Sequence, residues 1–141
     1  GAQAMSAAIA VPPAADQAAS VGAAGFIWPT SGTVSQHFTS VHRGIDIAAS
    51  LGTPVYAANA GTVVLVQQLD QVLLNIIIDH DKGYRTQYLH LSETLVSIGK
   101  TVERGELIAR VGNSGRSFGP HLDFRIYLNT VPLNPEDYLP K

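Results

Sequence analysis

The fold follows from one stretch of sequence, His121-Leu122-Asp123-Phe124-Arg125-Ile126-Tyr127-Leu128, in which apolar and polar residues alternate. Successive side chains of a β-strand point to opposite faces, so the apolar residues of this stretch share one face. The other face carries His121, Asp123 and Arg125. The stretch therefore predicts a strand that packs one face into a core and presents an imidazole and a carboxylate on the other.

Short runs rich in β-branched residues alternate with glycine-containing turns on the N-terminal side of this strand. These runs are 34–38, 53–57, 61–66, 73–78, 84–89 and 106–111. Many short strands separated by turns are typical of an all-β sandwich or barrel. We predict that 79–83 forms the turn of one hairpin. Helical structure should be limited to short turns, such as one over 91–95 with Ser92 as its cap.

The composition changes at Phe26 and divides the chain in two. The 141-residue sequence is 45% hydrophobic and 14% charged, which is enough apolar material for the core of one domain. Residues 1–25 are rich in alanine and poor in large side chains, so we predict a tail or linker that begins with a cloning remnant before Met5. A short helix over 14–19 is one form that this segment could take. We predict that 26–141 is the folded domain.

Charge, cysteine content and hydropathy exclude several classes of function. The net charge of -2 provides no broad positive field, so we expect neither nucleic acid nor an anionic membrane surface as a partner. With 0 cysteines, any metal must be held by imidazole and carboxylate groups. No apolar run is long enough to predict a membrane span. No signal peptide is recognisable, so for an exported protein we expect the signal to have been removed.

His42 and Asp46 lie four residues apart, on either side of Gly44. On a helix this spacing would place both side chains on one face. Gly44 and the β-branched residues beside it favour extended chain instead, in which positions 42, 44 and 46 also share a face and the glycine leaves room between the other two. Taken alone, so short a pattern is more typical of a salt-bridged histidine at a strand edge.

The remaining histidines are also ambiguous when each is taken alone. His121 and Asp123 fit the solvent face of a half-buried strand. His90, between two leucines, fits a satisfied polar residue near a core. We assign His37 and His80 to structure or solvent, the latter because it lies in a predicted turn. The prediction of a metal site rests on five residues together: His42, Asp46, His90, His121 and Asp123.

Four stretches carry a resemblance to a known family and occur in that family's order. They are His42-Arg43-Gly44-Ile45-Asp46-Ile47-Ala48-Ala49, Gly52-Thr53-Pro54-Val55-Tyr56-Ala57-Ala58, Tyr88-Leu89-His90-Leu91-Ser92 and Gly112-Asn113-Ser114-Gly115-Arg116-Ser117-Phe118-Gly119-Pro120-His121-Leu122. The chain from about Phe26 onward resembles the M23 family of zinc peptidases, of the lysostaphin and LytM type, which cleave peptide cross-links in bacterial peptidoglycan. The resemblance implies a LytM-type antiparallel β-sandwich with a groove that carries the metal site.

The resemblance also implies roles for individual residues. In the family, zinc is held by the histidine and aspartate that match His42 and Asp46, and by the second histidine of a His-x-His pair. The first histidine of that pair, here His121, and the histidine that matches His90 act in catalysis. The sequence departs from the family at Asp123, which stands where the third ligand is expected. The implied cofactor is one zinc ion per chain, held by His42, Asp46 and Asp123.

An aspartate is chemically reasonable as the third ligand, because zinc accepts carboxylate oxygen and imidazole nitrogen at about the same distance. Two carboxylates offset more of the ion's charge, so we expect a less acidic bound water and a preference shifted toward harder ions such as Mn²⁺. Arg125, on the same strand face, either pairs with Asp123 or contacts substrate. By resemblance, Asn75 borders the groove.

Three functions are consistent with these residues. The first is a zinc-dependent endopeptidase of the periplasm or extracellular cell envelope, acting on peptidoglycan peptides and by expectation on D-Ala to diaminopimelate cross-links. The second is a weakened relative that binds peptidoglycan or activates cell-wall amidases, with amidases or cell-division proteins as partners. The third is a lipoyl or biotinyl carrier domain, because 99–108 resembles the hairpin arm of such domains and Lys82 lies in a predicted turn. A carrier would not need the histidines, so we favour it least.

Overall fold

The structure is a computed structural model that describes residues 21–69, 73–113 and 119–141. The predicted helix over 14–19 lies outside the described residues. Within them, regular structure consists of ten strands and three short 3-10 turns, which confirms the all-β class. No helix in the described part of the chain is long and apolar enough to cross a membrane.

The strands follow one another along the chain with short connections. They are β1 (Thr33–Gln36), β2 (Ile45–Ala48), β3 (Pro54–Tyr56), β4 (Gly61–Leu69), β5 (Leu73–Asp79), β6 (Tyr84–Thr94), β7 (Thr101–Val102), β8 (Leu107–Val111), β9 (His121–Leu128) and β10 (Val131–Leu133). The 3-10 turns are Ala23–Gly25, Asp81–Gly83 and Pro135–Asp137.

The described strands join in one antiparallel sheet with the order β1-β2-β9-β6-β5-β4-β7. Strand β10 pairs with β9, and β3 is attached through β8. Strand β6 connects these parts, because it pairs with β5 and β9 along most of its length and with β8 at its last residues. The long central strand therefore lies beside every element that the candidate site uses except β2.

Strand β9 has the alternation that its sequence predicts. Leu122, Phe124 and Ile126 are fully buried, and Phe124 lies opposite Tyr88 of β6 with 5.4 Å between the two ring centroids. Burying each such side chain contributes about 1.5–3 kcal/mol. A shift of one residue in register would expose this set and bury the polar one, so core packing fixes which side chains of β9 point toward the site.

Two local predictions are wrong. The segment 91–95 is not a helical turn, because β6 continues through Thr94 and pairs with β8. Ser92 does not cap a helix, and its hydroxyl donates across the strands to the carbonyl of Arg110 at 3.4 Å. The first strand ends at Gln36 rather than at Phe38. The hairpin turn over 79–83 is confirmed, with positive φ angles of 64° at Lys82 and 87° at Gly83.

The last residues of the predicted tail contact the domain. The side-chain amide of Asn59 donates to the carbonyl of Ala24 at 3.3 Å, and Arg104 donates to the carbonyl of Gly25 at 3.4 Å. The boundary at Phe26 stays a prediction.

Candidate metal centre

The carboxylates of the candidate centre lie on neighbouring strands. Asp46 of β2 is directly opposite Asp123 of β9, and residues that are opposite in an antiparallel pair project to the same face. His42 lies just before β2, where its backbone N–H donates to the Thr39 hydroxyl at 3.0 Å. Its Nδ1 lies 3.1 Å from the carbonyl oxygen of Gly44, so Nδ1–H donates to that oxygen and Nε2 is left for the carboxylates.

The three predicted ligands come together in the structure. His42 Nε2 is 3.1 Å from Asp46 Oδ1 and 3.9 Å from Asp123 Oδ2. One donor atom from each residue lies within 4.8 Å of the other two. Donors about 2.1 Å from a tetrahedral zinc ion are about 3.4 Å apart, so small side-chain adjustments bring these atoms to metal-binding distances. One imidazole and two carboxylates therefore fit a divalent ion.

The electrostatics of the centre reflect two acidic groups in a partly buried place. The side chains of His42, Asp46 and Asp123 are 11%, 15% and 7% exposed. Burial raises the pKa of Asp46, and the negative charge of Asp123 raises that pKa further. His121, His42 and Arg125 oppose the increase. A cation beside both carboxylates would be favourable, because it would offset the repulsion between their two partly buried negative charges.

Arg125 provides such a cation from within the chain. Its Nε donates to Asp123 Oδ1 and its Nη2 to Asp123 Oδ2, each at 3.0 Å. Of the two roles that the sequence allowed for Arg125, the structure has the ion pair. One of the three candidate ligands, Asp123, therefore already has a cationic partner from the protein itself.

The two predicted catalytic imidazoles are neighbours. The ring centroids of His90 and His121 are 4.7 Å apart, with an interplanar angle of 47°. His121 is the first residue of β9, and its Nδ1 lies 3.0 Å from the carbonyl oxygen of Gly119. Burial lowers the pKa of His90, and the neighbouring His121 lowers it further.

A β-bulge sets the direction of the His90 side chain. On β5, Asn75 pairs with Leu89 and Leu74 pairs with Leu91, so His90 is an extra residue between two paired ones. Its φ angle is +67°, in the left-handed region that non-glycine residues seldom adopt. Bulges next to functional sites redirect side chains, and this one turns the histidine of β6 toward His121.

Gly112 is a site residue that sequence reasoning missed. Its N–H donates to the His90 carbonyl at 2.9 Å, and its carbonyl accepts from the His121 N–H at 3.2 Å. A Cβ atom at Gly112 would lie 2.6 Å from the His90 carbonyl oxygen and 2.7 Å from backbone atoms of Leu91 and Ser92. The sequence shows only that a glycine begins the motif loop. It does not show which backbone segments pack against that glycine.

The other polar residues named from the sequence have hydrogen-bond partners outside the set of three ligands. His37 is exposed and pairs with Glu136 at 2.7 Å. His80 forms hydrogen bonds with the Ala60 carbonyl at 2.7 Å and the Thr86 hydroxyl at 2.8 Å, which confirms a structural role. Asn75 is buried beside the His90 bulge and accepts a hydrogen bond from Gln87 at 3.2 Å.

Together, the antiparallel all-β scaffold, the His-Asp-Asp donor set and the adjacent imidazoles define a metallohydrolase type of domain. The family description that matches residues 40–135 is Peptidase family M23. The chain belongs to that family, whose lysostaphin and LytM type was expected from the motifs. This assignment also removes the reason for considering a carrier domain.

Individual relatives agree with the family. The chain is 41% identical over 93 residues to peptidoglycan DD-endopeptidase ShyA of Vibrio cholerae, covering 66% of this chain and 22% of that protein. It is 39% identical over 121 residues to a lipoprotein NlpD/LppB homolog of Pseudomonas aeruginosa, covering 83% and 40% of the two proteins. A crystal structure of a zinc-containing peptidase from V. cholerae superposes with a TM-score of 0.72 at 32% identity, over 77% of this chain and 38% of that one.

The chain spans about a fifth of the length of ShyA and two fifths of the NlpD/LppB homolog. The remainder of each relative lies outside the region of similarity.

Proposed function

We propose that this domain is a zinc-dependent endopeptidase that hydrolyses peptide cross-links of bacterial peptidoglycan, with the D-Ala to diaminopimelate bond as its target. One observation carries the proposal: His42, just before β2, and the paired residues Asp46 of β2 and Asp123 of β9 offer donor atoms within 4.8 Å of one another. Support comes from a relative named as a peptidoglycan DD-endopeptidase and a structural neighbour described as a zinc-containing peptidase.

In this proposal His42, Asp46 and Asp123 hold the ion. A divalent metal bound there supplies Lewis acidity toward a peptide carbonyl and makes water a better nucleophile. The protein fixes the ligands before the ion arrives, because Gly44 accepts the Nδ1–H of His42 and the core packing of β9 holds Asp123 opposite Asp46. Zinc is the proposed ion, and Mn²⁺ is an alternative because two of the three donors are hard oxygen ligands.

His90 and His121 supply the acid–base chemistry in the proposal. His121 Nδ1–H donates to the Gly119 carbonyl, so in the neutral ring Nε2 is the proton acceptor. Nε2 of His121 takes a proton from the attacking water and passes it to the departing amine. His90, 4.7 Å away between ring centroids, orients the scissile carbonyl and donates to the oxygen on which negative charge develops.

The proposed setting is the cell envelope, either periplasmic or extracellular, where peptidoglycan is found. Relatives named as a peptidoglycan endopeptidase and as a lipoprotein support this setting. We propose no nucleic-acid partner, because the chain has a net charge of -2 and lacks the excess of basic residues that phosphate binding needs.

The test is digestion of purified peptidoglycan that carries D-Ala to diaminopimelate cross-links, with the products identified by mass spectrometry. We expect cross-linked dimers to become monomers in the presence of Zn²⁺, no reaction with EDTA, and restoration by added zinc. The matched control is Asp46→Asn, which keeps the shape of the side chain and removes its charge. Intact dimers after incubation with a protein that carries one zinc per chain would contradict the proposal.

A second candidate function is a regulator or peptidoglycan-binding module that activates cell-wall amidases. The observation that favours it is the Arg125 ion pair, which already occupies both oxygens of Asp123. This function predicts that the domain binds peptidoglycan or stimulates an amidase equally well with and without EDTA. Amidase assays with the wild-type domain and with Asp46→Asn distinguish the two functions, because only the peptidase requires the metal ligand.

A further inference from the structure

Arg125 holds Asp123 on both of its oxygen atoms. The two hydrogen bonds, from Nε to Oδ1 and from Nη2 to Oδ2, are each 3.0 Å long. Such bidentate contacts are the strongest geometry that a guanidinium forms with a carboxylate. The side chains of Asp123 and Arg125 are 7% and 27% exposed, so the pair is partly shielded from water. A guanidinium stays protonated throughout the pH range in which the protein is folded, so the charge of Arg125 is permanent.

The chain leaves a specific space for this arginine. A Cβ atom on Gly44 would lie 2.5 Å from Arg125 Cγ, 2.8 Å from the Phe124 carbonyl oxygen and 3.0 Å from Asp123 Oδ1, so both the arginine stem and the backbone of β9 need the glycine. Gly44 stands between His42 and Asp46, so the arginine stem passes the chain just before β2, between two of the predicted ligands. The sequence predicted that Gly44 leaves room between His42 and Asp46. In the structure the side chain of Arg125 lies in that space.

A divalent ion and a guanidinium make opposing demands on Asp123. The ion needs at least one oxygen of that carboxylate, and it would be within a few ångströms of a fixed positive charge. A metal bound to His42 and Asp46 therefore either repels Arg125 or must displace one of its hydrogen bonds. Both effects lower affinity for the ion relative to a centre in which Asp123 had no cationic partner.

We infer that Arg125 is an internal counter-cation that competes with the metal for Asp123 and weakens metal binding to this centre. The inference rests on the metal site of the proposed function and deepens it by naming a residue that sets its affinity. In the absence of metal the pair neutralises one carboxylate, so the folded domain does not depend on the ion. Because Arg125 weakens metal binding, a higher concentration of free metal ion is needed to fill the centre.

Metal affinity, measured without any hydrolysis assay, tests this inference. The dissociation constant for Zn²⁺ is obtained by competition with a chromophoric chelator, and Co²⁺ absorption reports on the ligand geometry. Arg125→Met keeps most of the apolar stem and removes the charge, and it should bind zinc at least tenfold more tightly than wild type. Arg125→Lys keeps a charge but cannot form the two-pronged contact, and it should lie between the two.

Two controls identify the cause. Arg85 forms a single-contact ion pair with Asp79 at 3.3 Å on an exposed part of the hairpin, away from the three ligands in sequence, so Arg85→Met should leave zinc affinity unchanged. The gain from Arg125→Met should disappear when Asp123→Asn is already present, because the competition is for that carboxylate. A gain that persists in the double variant would overturn the inference.

Equal or weaker zinc binding by both Arg125→Met and Arg125→Lys also overturns it. If Arg125→Met does not fold, Arg125→Lys decides, through the rise in melting temperature that zinc produces in each protein. Failure of the proposed function gives a different result: no hydrolysis by wild type, together with tighter zinc binding by the Arg125 variants. An active wild-type enzyme whose zinc affinity is unaffected by Arg125 overturns the counter-cation role alone.

Discussion

Two polar clusters in this domain differ in whether the chain satisfies them by itself. One is the His80 network, which consists of Ala58, Ala60, His80, Thr86 and Tyr88. With His80 neutral, hydrogen bonds run in one direction: the Ala58 N–H to the Tyr88 hydroxyl at 3.0 Å, that hydroxyl to Thr86 at 2.7 Å, Thr86 to His80 Nε2 at 2.8 Å, and Nδ1–H to the Ala60 carbonyl at 2.7 Å. Each donor in this series has an acceptor.

The other cluster is the candidate metal centre, where acceptors and negative charge predominate. Asp46 and Asp123 are opposite one another, and an ionised carboxylate can only accept hydrogen bonds. His42 and Arg125 offset part of the charge. The comparison shows how a structural histidine differs from a proposed ligand: His80 belongs to a network that protein groups complete, whereas the donor set around His42 suits an added cation.

The largest effect should come from the ligands themselves. Asp46→Asn removes one negative donor, so we expect stoichiometric zinc to be lost and hydrolysis of cross-linked peptides to fall by a factor on the order of 10³ or more. Zinc content by elemental analysis and product formation by mass spectrometry measure both. Retention of one zinc per chain in this variant would show that the ion binds elsewhere.

Replacement of the two imidazoles should separate catalysis from metal binding. We expect His90→Ala and His121→Ala each to lower the hydrolysis rate by about 10²–10⁴-fold, because each removes a proton-transfer or oxyanion-binding group. Zinc content should stay at the wild-type value in both. If either variant loses zinc and hydrolysis together, that histidine acts as a ligand rather than in catalysis.

Asp123→His tests the departure of this chain from the family pattern. A neutral imidazole at position 123 adds no negative charge and does not bind a guanidinium as a carboxylate does. We therefore expect zinc affinity to rise by about tenfold or more and hydrolysis to increase with it. If both stay flat, Asp123 does not limit the site, which would contradict our account of this position.

Gly112→Ala should disturb the support of both imidazoles. The added methyl group meets backbone atoms of His90, Leu91 and Ser92, and we expect a loss of about 1–3 kcal/mol in the free energy of unfolding together with slower hydrolysis. Gly99→Ala is the matched control, because its Cβ would meet nothing within 4 Å although its φ is +95°. The control should lose stability but keep the hydrolysis rate of wild type. Equal hydrolysis by both variants would exclude the supporting role of Gly112.

The smallest effect concerns pH and the His80 network. Burial lowers the pKa of His80, so below about pH 6.5 the unfolded chain binds a proton that the folded chain resists. The free energy of unfolding should therefore fall as pH decreases from about 6.5, and level off below the lowered pKa. His80→Gln should reduce this decrease in denaturant titrations between pH 7 and 5. An unchanged pH dependence would mean that the proton is accommodated without loss of the network.

The sequence predicted the class of fold because periodicity and turn residues are local properties. Strand β9 agrees with its predicted bounds, and the burial of Leu122, Phe124 and Ile126 on one face follows from side-chain geometry alone. The helical turn over 91–95 was wrong because pairing with β8, a long-range interaction, extended β6 through Thr94. Local propensity contains no information about a partner strand that comes later in the chain.

For the candidate site, the sequence predicted which residues come together but not their local backbone geometry. Motif order suggested which five residues belong together, and the structure brings His42, Asp46 and Asp123 within 4.8 Å and the two imidazoles side by side. The left-handed conformation of His90, which makes the bulge, could not be predicted from a leucine-flanked histidine. The sequence leaves two roles open for Arg125, because alternation places it on the correct face without specifying its partner.

The most direct measurement of the central claim is anomalous diffraction at the zinc absorption edge from crystals grown with Zn²⁺. We predict one strong peak per chain, at about 2.0–2.2 Å from His42 Nε2 and from one carboxylate oxygen each of Asp46 and Asp123. His90 and His121 should face the same peak from outside the bonding distance. A peak at any other residues, or none at this centre in zinc-loaded protein, would contradict the account.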